Sequence, residues 1–475
     1  MADKIYDLAI IGSGPAGYTA AIRAGQLGLK VALIEKDNKL GGTCLHVGCI
    51  PTKALLFNAE LWDHLKAAQE FGIEDLGTPK LNWGAVQQRK DKIVTKHAKG
   101  LEFLMRKNKV DTITGYGRLT GPAKNGLHEV EVSTSGGAAG ERKTVKAKNA
   151  MLATGSEARM LPGLQPDDRI LTNIEILSLK AIPKSLIIVG SGAVGVEFAS
   201  IYNSFGVGCT VLEMLPRIVP LEDEEISKEL DRAFRKRNIR TLVNASVKKV
   251  ERTKDGVAVS FEVDGKSQTA EAEKVLIAVG RKPRTENVGV EKTKIKTERG
   301  FVHADGWMET AEPGIYAAGD IVAGMPQLAH AGFIGAKVAV AHIAGKNAKP
   351  LDRNKIPACT YCHPEIGSVG LTEASAKQAG RTVKIGKFPF SANSRASIVG
   401  AHEGFIKIVS DAKYGEILGV HIIGPSATEL IAEAVAAIEL EATVEDLMYT
   451  IHAHPTLSEG MLDAVESVDG LAIDF

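Results

Sequence analysis

Two cysteines five residues apart, Cys44 and Cys49, sit in the run Gly41-Gly-Thr-Cys44-Leu-His46-Val-Gly48-Cys49-Ile-Pro51-Thr-Lys53. In an unbroken helix this spacing separates the side chains by about 7.5 Å along the axis and about 140° in azimuth. That is too far and too badly aimed for a disulfide. The helix must break between them, and Gly48 permits the break. Pro51 suits the first turn of a second helix, which puts Cys49 at that helix's N-terminus, where the dipole favours a thiolate. The chemistry such a pair offers is that of a redox dithiol.

A second set of residues points to nucleotide binding. An apolar strand at Ile5 to Ile11 runs into Gly12-Ser-Gly14-Pro-Ala-Gly17, a helical stretch follows to about Gly28, and a strand from Val31 to Ile34 ends in Glu35. The same word returns as Gly190-Ser-Gly192-Ala-Val-Gly195 after a strand at Ser185 to Val189, with a helix to about Phe205 and Glu213 after Thr210 to Leu212. Gly12 to Gly190 and Glu35 to Glu213 are both offsets of 178 residues. One glycine word also makes a tight turn; two in equal register, each between strand and helix and each followed by Glu, predict two dinucleotide-binding domains. Glycines let the backbone approach a pyrophosphate, the helix N-terminus supplies N–H donors, and the Glu accepts from ribose hydroxyls. A carboxylate at Glu213 repels a 2′-phosphate, so NAD is expected rather than NADP.

These sites need elements to hold them. Met151 to Gly155 and Val275 to Gly280 each read as a closing strand running into glycine. Residues 110 to 150 alternate apolar and polar with glycine-rich turns, predicting an antiparallel excursion. After about 351, strands at Phe405 to Val409 and Ile417 to Ile423 precede a helix near Ala427 to Leu440, without a third fingerprint. The fold class is therefore α/β, with two Rossmann-like domains and a C-terminal α+β domain.

Other candidates carry less. Cys359-Thr-Tyr-Cys362 has thioredoxin or zinc spacing, but it lacks a second ligand pair and lies in an extended segment, so no metal site is expected. Cys209 reads as a small buried residue. Arg89, Lys90, Lys92, Lys96, Lys99, Arg106 and Lys107 are spaced around a helix and predict a solvated face. Glu222 to Glu225 precede a helix and answer its macrodipole.

The 475 residues suffice for about three domains. Lys plus Arg number 58 against 57 Asp plus Glu, so nothing electrostatic calls for nucleic acid or an anionic membrane. No apolar run approaches the ~18 residues of a spanning helix. Glycine, at 49 residues, is in excess, as nucleotide cradles require. Five thinly spread cysteines and an N-terminus without a presequence pattern point to a reducing cytoplasm.

With Tyr316-Ala-Ala-Gly-Asp320 and His452-Ala-His454-Pro-Thr-Leu-Ser-Glu459 added to the cysteine run and both fingerprints, the chain resembles the flavin-dependent disulfide reductases along essentially its whole length. The likeness is strongest to members that oxidise protein-bound dihydrolipoamide with NAD⁺. It implies that the first fingerprint with Glu35 holds the adenosine half of FAD, that Asp320 reaches the ribityl chain, and that the second fingerprint with Glu213 holds NAD. It also implies that Lys53 lies near the flavin ring and pairs with Glu197. Gly117, Thr154, Gly155, Gly280 and Ala329 complete the implied cofactor-binding set.

By the same resemblance Cys49 faces the flavin, Cys44 exchanges with substrate, and His454 is the base, oriented by Glu459. A His before Pro in a turn is by itself more often structural, and it is the motif that gives His454 this role; His452 reads as a support for the turn. The family most often has Asn at the position of His46. The implied domains are 1–155 and 281–350 for FAD, 156–280 for NAD and 351–475 for the interface of a homodimer. The implied partner is a lipoylated acyltransferase or glycine-cleavage carrier protein, and no lipoyl domain is expected ahead of Ile5. Rivals are glutathione reductase, which wants arginines where Glu213-Met-Leu-Pro216 has none, and mercuric reductase, which carries a C-terminal cysteine pair. A non-catalytic flavin-binding scaffold would not need both cysteines with His454 and Glu459.

Overall fold

The computed structural model describes residues 4–134 and 140–475; the part of the antiparallel excursion at 135–139 lies outside them. The chain forms two compact units, one from Met1–Ala54, Gln87–Arg159 and Arg281–Arg353, the other from Leu55–Val86, Met160–Gly280 and Asn354–Phe475.

In the first unit, strands Asp111–Thr114, Val31–Glu35, Ile5–Ile11 and Arg142–Leu152 pair in that order, with Ile315–Ala317 beside the last. Ile10 lies between Leu33 and Met151 in parallel register. Leu8, Ile10, Leu33 and Met151 are fully buried, as expected where helices cover both faces of a parallel sheet. Each contributes about 1.5–3 kcal/mol of burial.

The helix Pro15–Gln26 turns Ala16, Ala20, Ala21 and Ala24 inward, and these small side chains let it lie close to the sheet and the helix Ala329–Ile343. Strands His128–Ser133 and Tyr116–Leu119 continue the sheet antiparallel, as expected. Asp111–Thr114 departs from that expectation: it pairs parallel with Val31–Glu35, because it is the return strand of a helical crossover. Lys90 departs too. It is buried, with Nζ 2.6 Å from Gln87 Oε1, because a helix packed on a domain must turn one stripe inward.

The second unit contains a parallel sheet ordered Arg240–Leu242, Gly208–Leu212, Ser185–Val189, Lys274–Ile277, Ile170–Leu171. A three-stranded antiparallel meander spans Ser246–Ala272. The C-terminal sheet is antiparallel, ordered Ala358–Thr360, Glu365–Gly370, Ile417–Gly424, Phe405–Asp411, Val383–Pro389. Two of its three inner strands, Phe405–Asp411 and Ile417–Gly424, are buried at every residue, around a core of Phe388, Phe390, Ile406, Ile408, Val420 and Ile422. Two Rossmann-like sheets and a C-terminal α+β domain are the architecture read from the sequence. No helix among the described residues is long and apolar enough to cross a membrane.

Candidate active site

Both glycine words form the same cradle. Gly12 and Gly190 adopt φ of 104° and 102°, a region that side chains disfavour. A Cβ on Gly17 would lie 1.8 Å from Gly12 O, and one on Gly195 2.0 Å from Gly190 O, so only glycine lets each helix start against its strand. Gly14 and Gly192 face open space. The helices they begin, Pro15–Gln26 and Ala193–Ser204, have no side-chain cap, which leaves their first N–H groups for an anion.

The acidic residues are held alike. Ser13 donates its N–H at 2.8 Å and its hydroxyl at 2.7 Å to Glu35 Oε2, and Ser191 donates to Glu213 Oε2 at the same two distances. The other oxygens accept from Asp37 N at 3.0 Å and Leu215 N at 2.9 Å. The cradles and carboxylates fit a dinucleotide at each site. Sequence reasoning missed Ser13 and Ser191, although their identical place between the first two glycines was a usable signal. Arg217, the nearest cation after Glu213, turns Nη2 to Pro220 O at 3.0 Å.

The cysteine run folds as two helices, Gly42–Val47 and Cys49–Lys66, broken at Gly48. A Cβ there would lie 2.9 Å from Thr43 O, and Gly48 O accepts from Thr52 N at 3.1 Å and Thr52 Oγ1 at 2.7 Å, starting the second helix. Cys44 and Cys49 are thiols here, not joined in a disulfide. The hydrogen bond with Cys49 and burial push the Cys44 thiol well up, against an opposing pull from Lys53. Cys49 is first in its helix with Lys53 one turn on, so the helix dipole and a cation place it, of the two, to be a thiolate. Burial and the two cysteines push Tyr18 up to about 12. His46 Nε2 faces Leu40 O at 2.8 Å.

Asp320 lies in a network that the sequence did not disclose. Ser156 Oγ donates to Asp320 Oδ2 at 2.5 Å, while Arg281 donates to Ser156 Oγ at 2.7 Å and Ser156 O at 2.8 Å. Ser156 and Arg281 directly follow Gly155 and Gly280, at φ of 72° and 101°. Thr154 Oγ1 donates to Arg284 O at 2.5 Å. A Cβ on Gly117 would press to 3.0 Å on Ile11, and Ala329 begins a helix without a side-chain cap.

Within the second unit, buried Glu197 accepts from Tyr361 N at 3.0 Å. Cys359 lies in the strand Ala358–Thr360, as expected, whereas Cys362 is buried in the short link before the strand Glu365–Gly370, with Sγ on Pro364 O at 3.2 Å. His454 is 72% exposed and its Nδ1 faces Glu459 Oε1 at 2.8 Å. Thr456 N donates to Glu459 Oε2 at 2.7 Å. Burial pushes the Glu459 carboxyl up, but this N–H and His454 together hold it below the usual range. His452 is turned away, with Nε2 on Glu433 Oε1 at 2.7 Å and Nδ1 on Thr450 O at 3.0 Å. Two histidines two residues apart thus differ: one is tied to the fold and the other presents Nε2 outward.

A bifurcated fingerprint fold, a dithiol at a helix start and an exposed His–Glu pair define a class. The chain belongs to the pyridine nucleotide-disulphide oxidoreductase family, whose model matches residues 6–336, while the family's dimerisation domain matches residues 356–465. It is 46% identical over 473 residues to the dihydrolipoyl dehydrogenase of Bacillus subtilis, covering 99% of each chain. It is 44% identical over 483 residues to that of Rhizobium etli, again over 99% of each. The crystal structure of LpdA from Mycobacterium tuberculosis superposes with a TM-score of 0.88 at 29% identity, covering 97% of this chain and 99% of that one.

Proposed function

We propose that this chain oxidises protein-bound dihydrolipoamide to lipoamide with NAD⁺, as a cytoplasmic homodimer working with a lipoylated acyltransferase or glycine-cleavage carrier protein. The observation that carries the reading is the broken helix at Gly48, which sets Cys44 and Cys49 in hydrogen-bond contact with Cys49 at a helix start, in a chain alike over its length to dihydrolipoyl dehydrogenases. Residues 1–155 and 281–350 serve FAD, 156–280 serve NAD and 351–475 form the interface.

Gly12, Gly14, Gly17 and Glu35 would hold the adenosine half of FAD, with Asp320 at its ribityl chain and Lys53 near its ring; Gly190, Gly192, Gly195 and Glu213 would hold NAD. Bound FAD would supply a two-electron carrier between the dithiol and NAD⁺. The rest falls to side chains. His454 Nε2 takes the proton of a substrate thiol, and Glu459 at Nδ1 fixes the tautomer and steadies the imidazolium. The substrate thiolate attacks Cys44 Sγ of the Cys44–Cys49 disulfide, and Cys49 leaves as a thiolate. The second substrate thiol then displaces Cys44 from the mixed disulfide, its proton passing to the departing Cys44 sulfur, which completes lipoamide. Helix dipole and Lys53 charge favour the Cys49 thiolate.

Side-by-side assays of lipoamide, glutathione disulfide and mercuric ion, each with NADH and NADPH, test the reading. Lipoamide with NADH is expected to exceed every other combination; preference for glutathione disulfide with NADPH overturns it.

A further inference from the structure

The C-terminal sheet carries a polar row through an apolar interior. Ser368, His421, Lys407 and Lys387 are direct cross-strand neighbours on four adjacent strands, so their side chains share one face. The Lys407 side chain is only 2% exposed, and its Nζ lies 3.0 Å from Asp223, 2.8 Å from Glu225 and 2.8 Å from Glu373. Lys387 reaches the other Glu225 oxygen at 2.6 Å. A buried ammonium must be paired, yet one carboxylate would neutralise it. Three, drawn from two separate helix starts, fix the position of what they belong to.

Asp223 belongs to the nucleotide-binding domain. It caps the helix Glu224–Lys236, accepting from Glu225 N at 3.0 Å, and it ends the loop that leaves Glu213. In that loop Val219 adopts φ of 38°, where a β-branched residue stands only if its surroundings hold it. Three bonds do so: Val219 N donates to Ser191 O at 3.2 Å, and Val219 O accepts from Glu222 N at 3.0 Å and from Ser227 Oγ at 3.3 Å. Ser191 is the fingerprint residue that fixes Glu213. A continuous path of hydrogen bonds and short backbone thus runs from Lys407 to the Ser191–Glu213 pair.

We infer that Lys407 is a positioning residue for the second dinucleotide site: by gripping Asp223 it holds Val219 against Ser191 and so sets the carboxylate that receives the ribose. The inference rests on the reading that the second fingerprint binds NAD.

Two variants of the holoenzyme separate this role from general stabilisation. Asp223→Asn keeps the cap and the volume but weakens the grip on the loop, whereas Glu373→Gln takes a carboxylate from the same ammonium and leaves in place the backbone N–H that residue 373 donates to Asp223 Oδ2 at 3.4 Å. Asp223→Asn is expected to raise the Kd and KM for NAD⁺ about tenfold, with Glu373→Gln changing them by less than about twofold. Reduction by dihydrolipoamide without NAD⁺, followed by stopped flow, stays unchanged in both. A third, milder variant, Ser227→Ala, deletes the hydroxyl on Val219 O and is expected to raise the Kd about threefold. Equal weakening by Asp223→Asn and Glu373→Gln, or an unchanged Kd in both Asp223→Asn and Ser227→Ala, overturns the inference. Unaltered holoenzyme that does not bind NAD⁺ in the same titration overturns the NAD reading instead.

Discussion

Ser191 gives both its backbone N–H, at 2.8 Å, and its hydroxyl, at 2.7 Å, to one oxygen of Glu213. The carboxylate is therefore held in place with its charge at the end of the second strand, where an NADP 2′-phosphate would meet it. Replacing Glu213 and Met214 with Ala and Arg removes the repulsion and adds a cation. The ratio of kcat/KM for NADPH over NADH is expected to rise about 100-fold, since like-charge contact costs several kcal/mol. An unaltered enzyme that already uses both cofactors equally contradicts the argument.

His454 and Glu459 act as a unit in the proposed mechanism. His454→Gln is expected to lower kcat with dihydrolipoamide by about 10²–10⁴-fold while leaving NADH oxidation by an artificial acceptor intact, because that reaction needs no substrate thiol. Glu459→Gln should fall between, since its amide keeps a partner at Nδ1 without the charge that steadies the imidazolium. Equal loss in both assays would place the defect elsewhere.

Much of this site was legible in the sequence because its signals are local. Gly12 with Gly17, Gly190 with Gly195, and Gly48 between two cysteines each declare a backbone conformation within a few residues. What stayed hidden is what folding brings together from afar. Glu222 to Glu225 read as a helix start answering its dipole, and Asp223 does cap the helix, but nothing nearby announces Lys407, 184 residues on. Ser156 and Arg281 joined Asp320 for the same reason. Lys90 reads as a solvated lysine in the sequence because spacing around a helix does not say which stripe turns inward.

Glu222 offers a test by pH. Burial pushes its carboxyl up to about 7 from 4.5, with Ser368 opposing and Asp223 adding to the rise. Between those values the folded chain binds a proton that the unfolded chain has released, so stability falls as pH rises through the window and stays lower above it. Glu222→Gln removes the penalty. Scanning calorimetry should show the variant melting about 2–4 °C higher than the unaltered protein at pH 8, with the difference gone by about pH 4.5. A constant difference across pH would reject the assignment.

If the site is shared between subunits, cysteines from one and His454 from the other, inactive Cys44→Ser and His454→Gln chains should complement. Random reassortment makes about half the dimers mixed, each with one intact site of two, restoring about a quarter of full activity. No recovery after subunit exchange verified by mass confines each site to one chain.

The most direct test of the whole account asks which sulfur faces the flavin. Cys49 begins a helix, with Lys53 one turn on, so on the proposed reading it is the sulfur that donates charge to bound FAD. The measurement is the visible absorbance spectrum of the two oxidised holoenzyme variants without reductant. Cys44→Ser should show a long-wavelength thiolate-to-flavin band that bleaches on acidification, and Cys49→Ser should show none; identical spectra, or the band in Cys49→Ser alone, would contradict the assignment.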